Sequence, residues 1–217
     1  ILLQVAATML LARWLSPGDF GIAAAAAVVI EVARATGQMS LGKVLLRQFD
    51  TEPALVATAR SLAIIGGALC ALLLLATGAQ IEYHLAIPGV ASFIYFSAIS
   101  LMFQAVTLVP ATALTKQRRF KALAMQEVVS SFIATGASVA ASASGWGADA
   151  LLLALVLQPA LFALLVCRAA KEPLTFSLHR EHCWNLLHEG SGAAIARLIS
   201  ALAQQIPTAL SAGTLGG

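Results

Sequence analysis

The feature that most constrains this chain is a succession of long apolar runs set apart by short polar stretches, near residues 1–15, 20–38, 58–79, 89–114, 123–144, 148–168 and 191–213. Such a run must be buried in protein or cross a membrane, and a crossing helix needs about 20 apolar residues. Composition decides between the two. The 217 residues are 59% hydrophobic and 11% charged, with a mean hydropathy of +0.87, against the roughly 25% charged residues of a soluble domain. So few charges cannot clothe seven apolar runs in a polar surface, and the fold class is an all-α polytopic membrane helix bundle. Transmembrane strands are excluded because the runs are unbroken, not alternating over about ten residues.

The connections alternate in charge. Lys43, Arg47 and Arg60 flank the second; Lys116, Arg118, Arg119 and Lys121 fill the fourth; Arg168, Lys171 and Arg180 follow the sixth span. Asp19, then Glu82, Tyr83 and His84, then Trp146 and Asp149 occupy the turns between, with Arg13 the one base near them. Lys and Arg are retained on the cytoplasmic side, so the amino terminus is expected inside and the pI near 9.0 reflects topology. A nucleic-acid partner is not expected.

Other residue types point to packing. Pro110, Pro159 and Pro207 fall inside spans, where a proline removes a backbone hydrogen bond and bends or breaks the helix. Ser138, Ser142, Ser144, Gly66-Gly67, Gly136 and the Ala23–Ala27 run read as small-residue helix contacts. Cys70, Cys167 and Cys183 suggest no disulfide framework. The stretch 178–188 holds His179, His182 and Cys183 on what would be one helix face, but the spacing fits no structural zinc pattern. It reads better as a short amphipathic helix on the inner surface with Leu178, Trp184 and Leu187 dipped into the interface. No metal or cofactor is expected. No enzyme active site is expected either, since the outer loops are short and no nucleophile–base pair lies on one side of the membrane.

The most distinctive stretch runs from Arg13-Trp14-Leu15-Ser16-Pro17-Gly18-Asp19-Phe20-Gly21 into an apolar arm carrying Glu31 and Arg34. It reads as a membrane hairpin: Ser-Pro-Gly-Asp suits a tight reversal, and ionisable groups within a span are functional candidates. The turn resembles the Arg-x-Leu-x-Pro-x-Asp-Phe-Gly motif of bacterial lipid-linked oligosaccharide flippases, the polysaccharide-transporter branch of the multidrug/oligosaccharidyl-lipid/polysaccharide exporter superfamily. Arg13, Pro17, Asp19, Phe20 and Gly21 carry that match. Lys116-Gln117-Arg118-Arg119-Phe120, Gln126-Glu127, and Gly145-Trp146-Gly147 with Ala150-Leu151 follow in the family's order.

The resemblance implies two six-helix lobes with alternating access. Residues 1–168 would form the amino-terminal lobe, 169–190 a cytoplasmic connector, and 191–217 the first helix of a second lobe, so the chain reads as a fragment. A trace of the implied repeat appears when Gln4–Leu15 is laid on Gln205–Gly216. The implied function is the flipping of an undecaprenyl-pyrophosphate-linked oligosaccharide across the bacterial inner membrane, coupled to a proton or sodium ion, with membrane lipids as the other partner. Arg34 and Arg197 are the candidate pyrophosphate ligands, Glu31 a resting partner for Arg34, and Gln205 a further substrate contact. For both arginines snorkelling to the interface is the competing reading. The family often has a carboxylate after the Gln204-Gln205 pair, where this chain has Pro207. A drug antiporter of the same superfamily and a membrane glycan polymerase or ligase are the alternative functions.

Overall fold

The computed structural model describes residues 22, 41–47, 52–85, 88–147, 149–170, 175–179 and 181–186. Among them every regular element is helical: α1 (Leu41–Arg47), α2 (Pro53–Leu85), α3 (Val90–Lys116), α4 (Phe120–Ala143) and α5 (Asp149–Ala170). The last four correspond to the third to sixth apolar runs, and each is long and apolar enough to cross a membrane. The first, second and seventh runs lie outside the described residues, apart from Ile22.

Helix α2 corrects the expected boundaries. Its 33 residues reach about 50 Å at 1.5 Å per residue, against about 30 Å of hydrocarbon, so it projects beyond the apolar slab. It starts five residues before the expected 58, and Arg60, expected to flank the connection, lies well within the helix with its side chain 2% exposed. The preceding connection is partly helical as well. Leu41, Val44 and Leu45 of α1 are buried with Leu55, Ala59, Ala63 and Val109, because three apolar residues at helical spacing can be covered only by the bundle end.

The spans are not stacked in chain order. α2 packs on α3, α3 on α5, and α5 on α4, which makes α3 the central helix. Small residues allow the close approaches: a methyl group built on Gly67 would stand 2.6 Å from Ala105 Cβ, and one on Gly78 2.6 Å from the Tyr95 ring. Gly136, by contrast, faces open space, so it is not a packing position. Ser130, Ala134, Ser138, Ala141 and Ser142 form the buried face of α4, while Ser144 is exposed. Phe132, Ile133, Val128 and Met125 of α4, and Leu69, Leu72 and Leu73 of α2, are exposed. In a membrane these are the surfaces that meet lipid tails.

Pro110 and Pro159 interrupt neither α3 nor α5. The hydroxyls nearby bond along the helix, with Thr107 donating to Phe103 O at 2.6 Å and Thr112 to Leu108 O at 2.7 Å. This satisfies hydroxyl groups where no water is available.

Candidate functional site

The residues expected to carry function, Glu31, Arg34, Arg197 and Gln205, and the turn Arg13, Pro17, Asp19, Phe20 and Gly21, lie outside the described residues. Ile22, which follows that turn, is helical. It packs on the cluster of Leu74, Val90, Phe93 and Ile94, and a methyl group built on Gly89 would stand 3.7 Å from its Cδ1. The chain just after the turn is therefore beside the α2–α3 connection.

That connection belongs to an end of the bundle with acidic and aromatic character. Glu82 Oε2 accepts a hydrogen bond from the Ala91 N–H at 2.7 Å, so a carboxylate of one helix caps the first turn of the next. The α3 N-cap is Gly89, which has no side chain to do this and sits at φ 95; a negative charge there also complements the helix dipole. Asp149 opens α5 at the same end. Ser138 of α4 donates to Ala150 O of α5 at 2.7 Å, fixing the two helices to each other. Tyr83 and Trp146 are exposed there, as aromatic rings at a membrane–water boundary are.

The opposite end is basic. Arg60, Lys116, Arg118, Arg119, Lys121 and Arg168 gather there, and α1 with Lys43 and Arg47 packs beside them. Several of these have structural tasks that residue type alone does not disclose. Arg118 adopts φ 55; its N–H bonds Thr115 O at 3.0 Å and the Arg119 N–H bonds Leu114 O at 2.9 Å. Those two bonds satisfy the last carbonyls of α3, an arrangement that normally puts glycine at the left-handed position. Arg119 Nη1 then donates to Ala169 O at 3.2 Å, a cation on the terminal carbonyls of α5.

Arg60 Nη1 donates to Thr175 O at 3.3 Å, and the His179 N–H to Thr58 Oγ1 at 3.4 Å, so the segment after α5 lies against the start of α2. Residues 181–186 are helical, and Leu178 and His179, expected in the same helix, lie outside it. Leu186 is 1% exposed and seated among Leu41, Leu45, Leu55 and Val109, whereas Trp184 is 71% exposed, and Leu178 and Phe176 are exposed too. One face of the segment is therefore held by the bundle, and the other carries the large apolar groups. His179 and His182 stack at 5.8 Å between ring centroids, and His182 Nε2 lies 3.8 Å from Glu52. Among the described residues no three His, Cys, Asp or Glu side chains come together as metal ligands, and Cys70, Cys167 and Cys183 are free thiols.

Between the two ends, the described helices carry no charged residue except Glu127, in the second turn of α4. The polar groups at mid-depth lie instead on α3. Ser97, Ser100, Gln104 and Thr107 recur at three- and four-residue steps, hence on one helix face. Ser97 bonds Phe93 O at 2.5 Å and Gln104 Nε2 donates to Ser100 Oγ at 3.1 Å. This seam is not singled out by the sequence, where its one signal is polar residues spaced at helical steps within an apolar run.

These features define a multi-pass membrane helix bundle, polarised between a basic and an acidic end. A family model described as polysaccharide biosynthesis protein matches residues 10–216, and the chain belongs to that family. No curated protein and no solved structure gives a significant match. The protein thus has a role in polysaccharide biosynthesis, and the family match bears out the membership that the Arg13–Gly21 turn suggested.

Proposed function

We propose that this protein flips an undecaprenyl-pyrophosphate-linked oligosaccharide from the cytoplasmic to the outer leaflet of the bacterial inner membrane, during synthesis of an O-antigen, capsule or exopolysaccharide. The observation that carries the reading is the family match over residues 10–216 on a chain whose described bulk is membrane-crossing helices. Polysaccharide assembly on a lipid carrier needs one step that such helices can supply without bond chemistry, because a pyrophosphate and its sugars cannot enter hydrocarbon unaided.

In this reading the protein is not an enzyme and needs no cofactor. The uncharged middle of α2–α5 forms a wall of the path. The charge-assisted contacts fall to Arg34 and Arg197, with Glu31 the resting partner of Arg34, Gln205 a further contact, and a proton or sodium ion as the coupling species. By the positive-inside rule the basic end and the amino terminus are cytoplasmic.

The test is transport in proteoliposomes by the whole two-lobe protein that the resemblance implies, of which these residues would be the opening part, using lipid-linked oligosaccharide labelled on the sugar. A guanidinium fork that grips pyrophosphate bidentately is poorly replaced by lysine, whereas a snorkelling arginine is replaced almost freely. Arg34→Lys and Arg197→Lys should each slow transport about tenfold or more, the value of a charge-assisted hydrogen bond. Wild-type transport by both alanine variants would overturn the cation assignment, and no transport by the wild type would overturn the function. Orientation has its own test: in a cysteine-free background, Gln117→Cys should be labelled only from the cytoplasm and Gln80→Cys only from outside.

A further inference from the structure

We infer that the segment 175–186 is a lipid-binding strap that slopes through the headgroup layer at the basic end, with Phe176 and Leu178 inserted at the edge of the hydrocarbon and Trp184 among the headgroups. Helix α2 supplies the depth scale. Between Arg60 and Glu82 it carries no charged residue, and that stretch covers about 33 Å at 1.5 Å per residue. A hydrocarbon layer is about 30 Å thick, so Arg60 and Glu82 mark its two edges. The exposed rings of Tyr83 and Trp146 agree at the acidic edge, since such rings collect at the boundary. Beyond Arg60, towards Pro53, α2 continues through the headgroups, a further layer of about 5–8 Å.

Four attachments place the strap on this scale. Arg60 Nη1 donates to Thr175 O at 3.3 Å, which sets residue 175 at the hydrocarbon edge. Thr58 Oγ1 accepts from the His179 N–H at 3.4 Å, about 3 Å further out along the axis. His182 Nε2 lies 3.8 Å from Glu52, which stands just before α2 and about 12 Å beyond Arg60. Leu186 is seated among Leu41, Leu45, Leu55 and Val109 and returns the chain to the bundle. The strap therefore starts at the hydrocarbon edge and reaches the outer limit of the headgroups by His182. Phe176 and Leu178 fall between the first two attachments, at the edge itself.

The exposed side chains follow the same gradient. Phe176 and Leu178 are exposed and Ser177 between them is half-buried, so two large apolar groups leave the bundle where acyl chains begin. In the 181–186 helix Trp184 stands about 200° round from Leu186 at 100° per residue. The residue that docks and the ring that projects are thus on nearly opposite faces. Beside Trp184, Glu181 and Asn185 are exposed as well. A carboxylate is costly in hydrocarbon, so this helix stays among the wet headgroups, where an indole, apolar with one N–H, is the suited side chain. A lipid leaflet changes from acyl chain to hydrated headgroup over the same depth, and it is the partner that fits this surface. The contact differs from a flat helix dipping Leu178, Trp184 and Leu187: it slopes, and Phe176 is one of its anchors. It does not depend on the flipping function.

The experiment is spin-label accessibility in phosphatidylcholine liposomes, with Phe176→Cys, Leu178→Cys and Trp184→Cys each made in a cysteine-free form of the whole protein. Collision with oxygen, which concentrates among acyl chains, is compared with collision with a water-soluble nickel chelate. Leu72→Cys, at an exposed position in the middle of α2, is the lipid reference, and Glu52→Cys is the water reference. Phe176→Cys and Leu178→Cys should give an oxygen-to-nickel ratio several-fold above that of Glu52→Cys. Trp184→Cys should fall between those two and Glu52→Cys. Nickel-dominated collision at positions 176 and 178 would overturn the strap by placing it in water. Low collision with both reagents would overturn it by showing that protein, and not lipid, covers the surface. A second measurement needs no label: with Trp184 as the sole tryptophan, its fluorescence should be quenched more by lipid brominated near the headgroup than by lipid brominated at the chain end. Emission quenched by neither lipid would remove Trp184 from the headgroups and overturn the sloped contact.

Discussion

The two turns that flank α4 are built on one backbone plan and filled with opposite residues. At the acidic end Gly145 takes φ 87, its N–H bonds Ser142 O at 3.1 Å, and the Trp146 N–H bonds Ala141 O at 3.2 Å. At the basic end Arg118 takes φ 55 and the same pair of bonds closes α3. Glycine enters the left-handed region without penalty, whereas another L-residue pays on the order of 1–2 kcal/mol. The basic turn therefore accepts backbone strain to keep a cation at that position. The difference teaches that local stability shapes the acidic turn, and that charge shapes the basic one. Where a membrane protein needs positive residues at one face, even the position best suited to glycine is given to arginine.

The comparison can be broken most severely at Gly145. A methyl group built there would meet nothing within 4 Å, so Gly145→Val tests chiefly the backbone. It should cost about 2 kcal/mol, since a β-branched residue is least tolerant of positive φ, read as a lowered thermal transition in detergent. An unchanged transition would remove the backbone argument from both turns.

Glu82 comes next. Replacing its carboxylate by Glu82→Ala leaves the first turn of α3 without the acceptor that Gly89 cannot supply, at a cost of about 1 kcal/mol. Arg118→Gly should move the other way and stabilise the basic turn by about 1 kcal/mol, while weakening the charge bias that orients the chain. A destabilised Arg118→Gly protein would mean that the guanidinium itself holds the turn. The smallest effect belongs to Arg119→Ala. Its bond to Ala169 O is exposed, and a solvated cation at a helix end contributes about 0.3–1 kcal/mol.

The same contrast separates what was legible in the chain from what was not. The span boundaries of α3, α4 and α5 were readable to within a few residues because hydrocarbon sets the length of an apolar run. Those of α2 were not. Its helix runs past the apolar run at both ends, where hydropathy no longer marks it, and Arg60, read as flanking the connection, has a buried side chain. Gly67 and Gly136 look alike as glycines in apolar runs, and only one faces a neighbouring helix. The 178–188 stretch was readable as amphipathic, yet the residue that docks is Leu186, because the anchor had to fit the cluster formed by α1 and α2. The expected cation site at Glu31, Arg34, Arg197 and Gln205 rests on the sequence alone.

The sequence by itself determined the solvent of this protein, its helical class and the division of charge between its two ends. Each of these follows from composition and spacing, because hydrocarbon admits only long, uncharged, internally hydrogen-bonded segments. Its family membership was legible for a related reason: the Arg13–Gly21 turn keeps its residues in order along the chain. Tertiary structure decided that α3 is central and that α4 reaches it through α5. It also decided that Glu82 and Arg119 cap helices other than their own. Those outcomes depend on which faces meet. In a medium as apolar as the side chains themselves, helix faces are chosen by shape and by a few polar contacts, and neither is written in hydropathy.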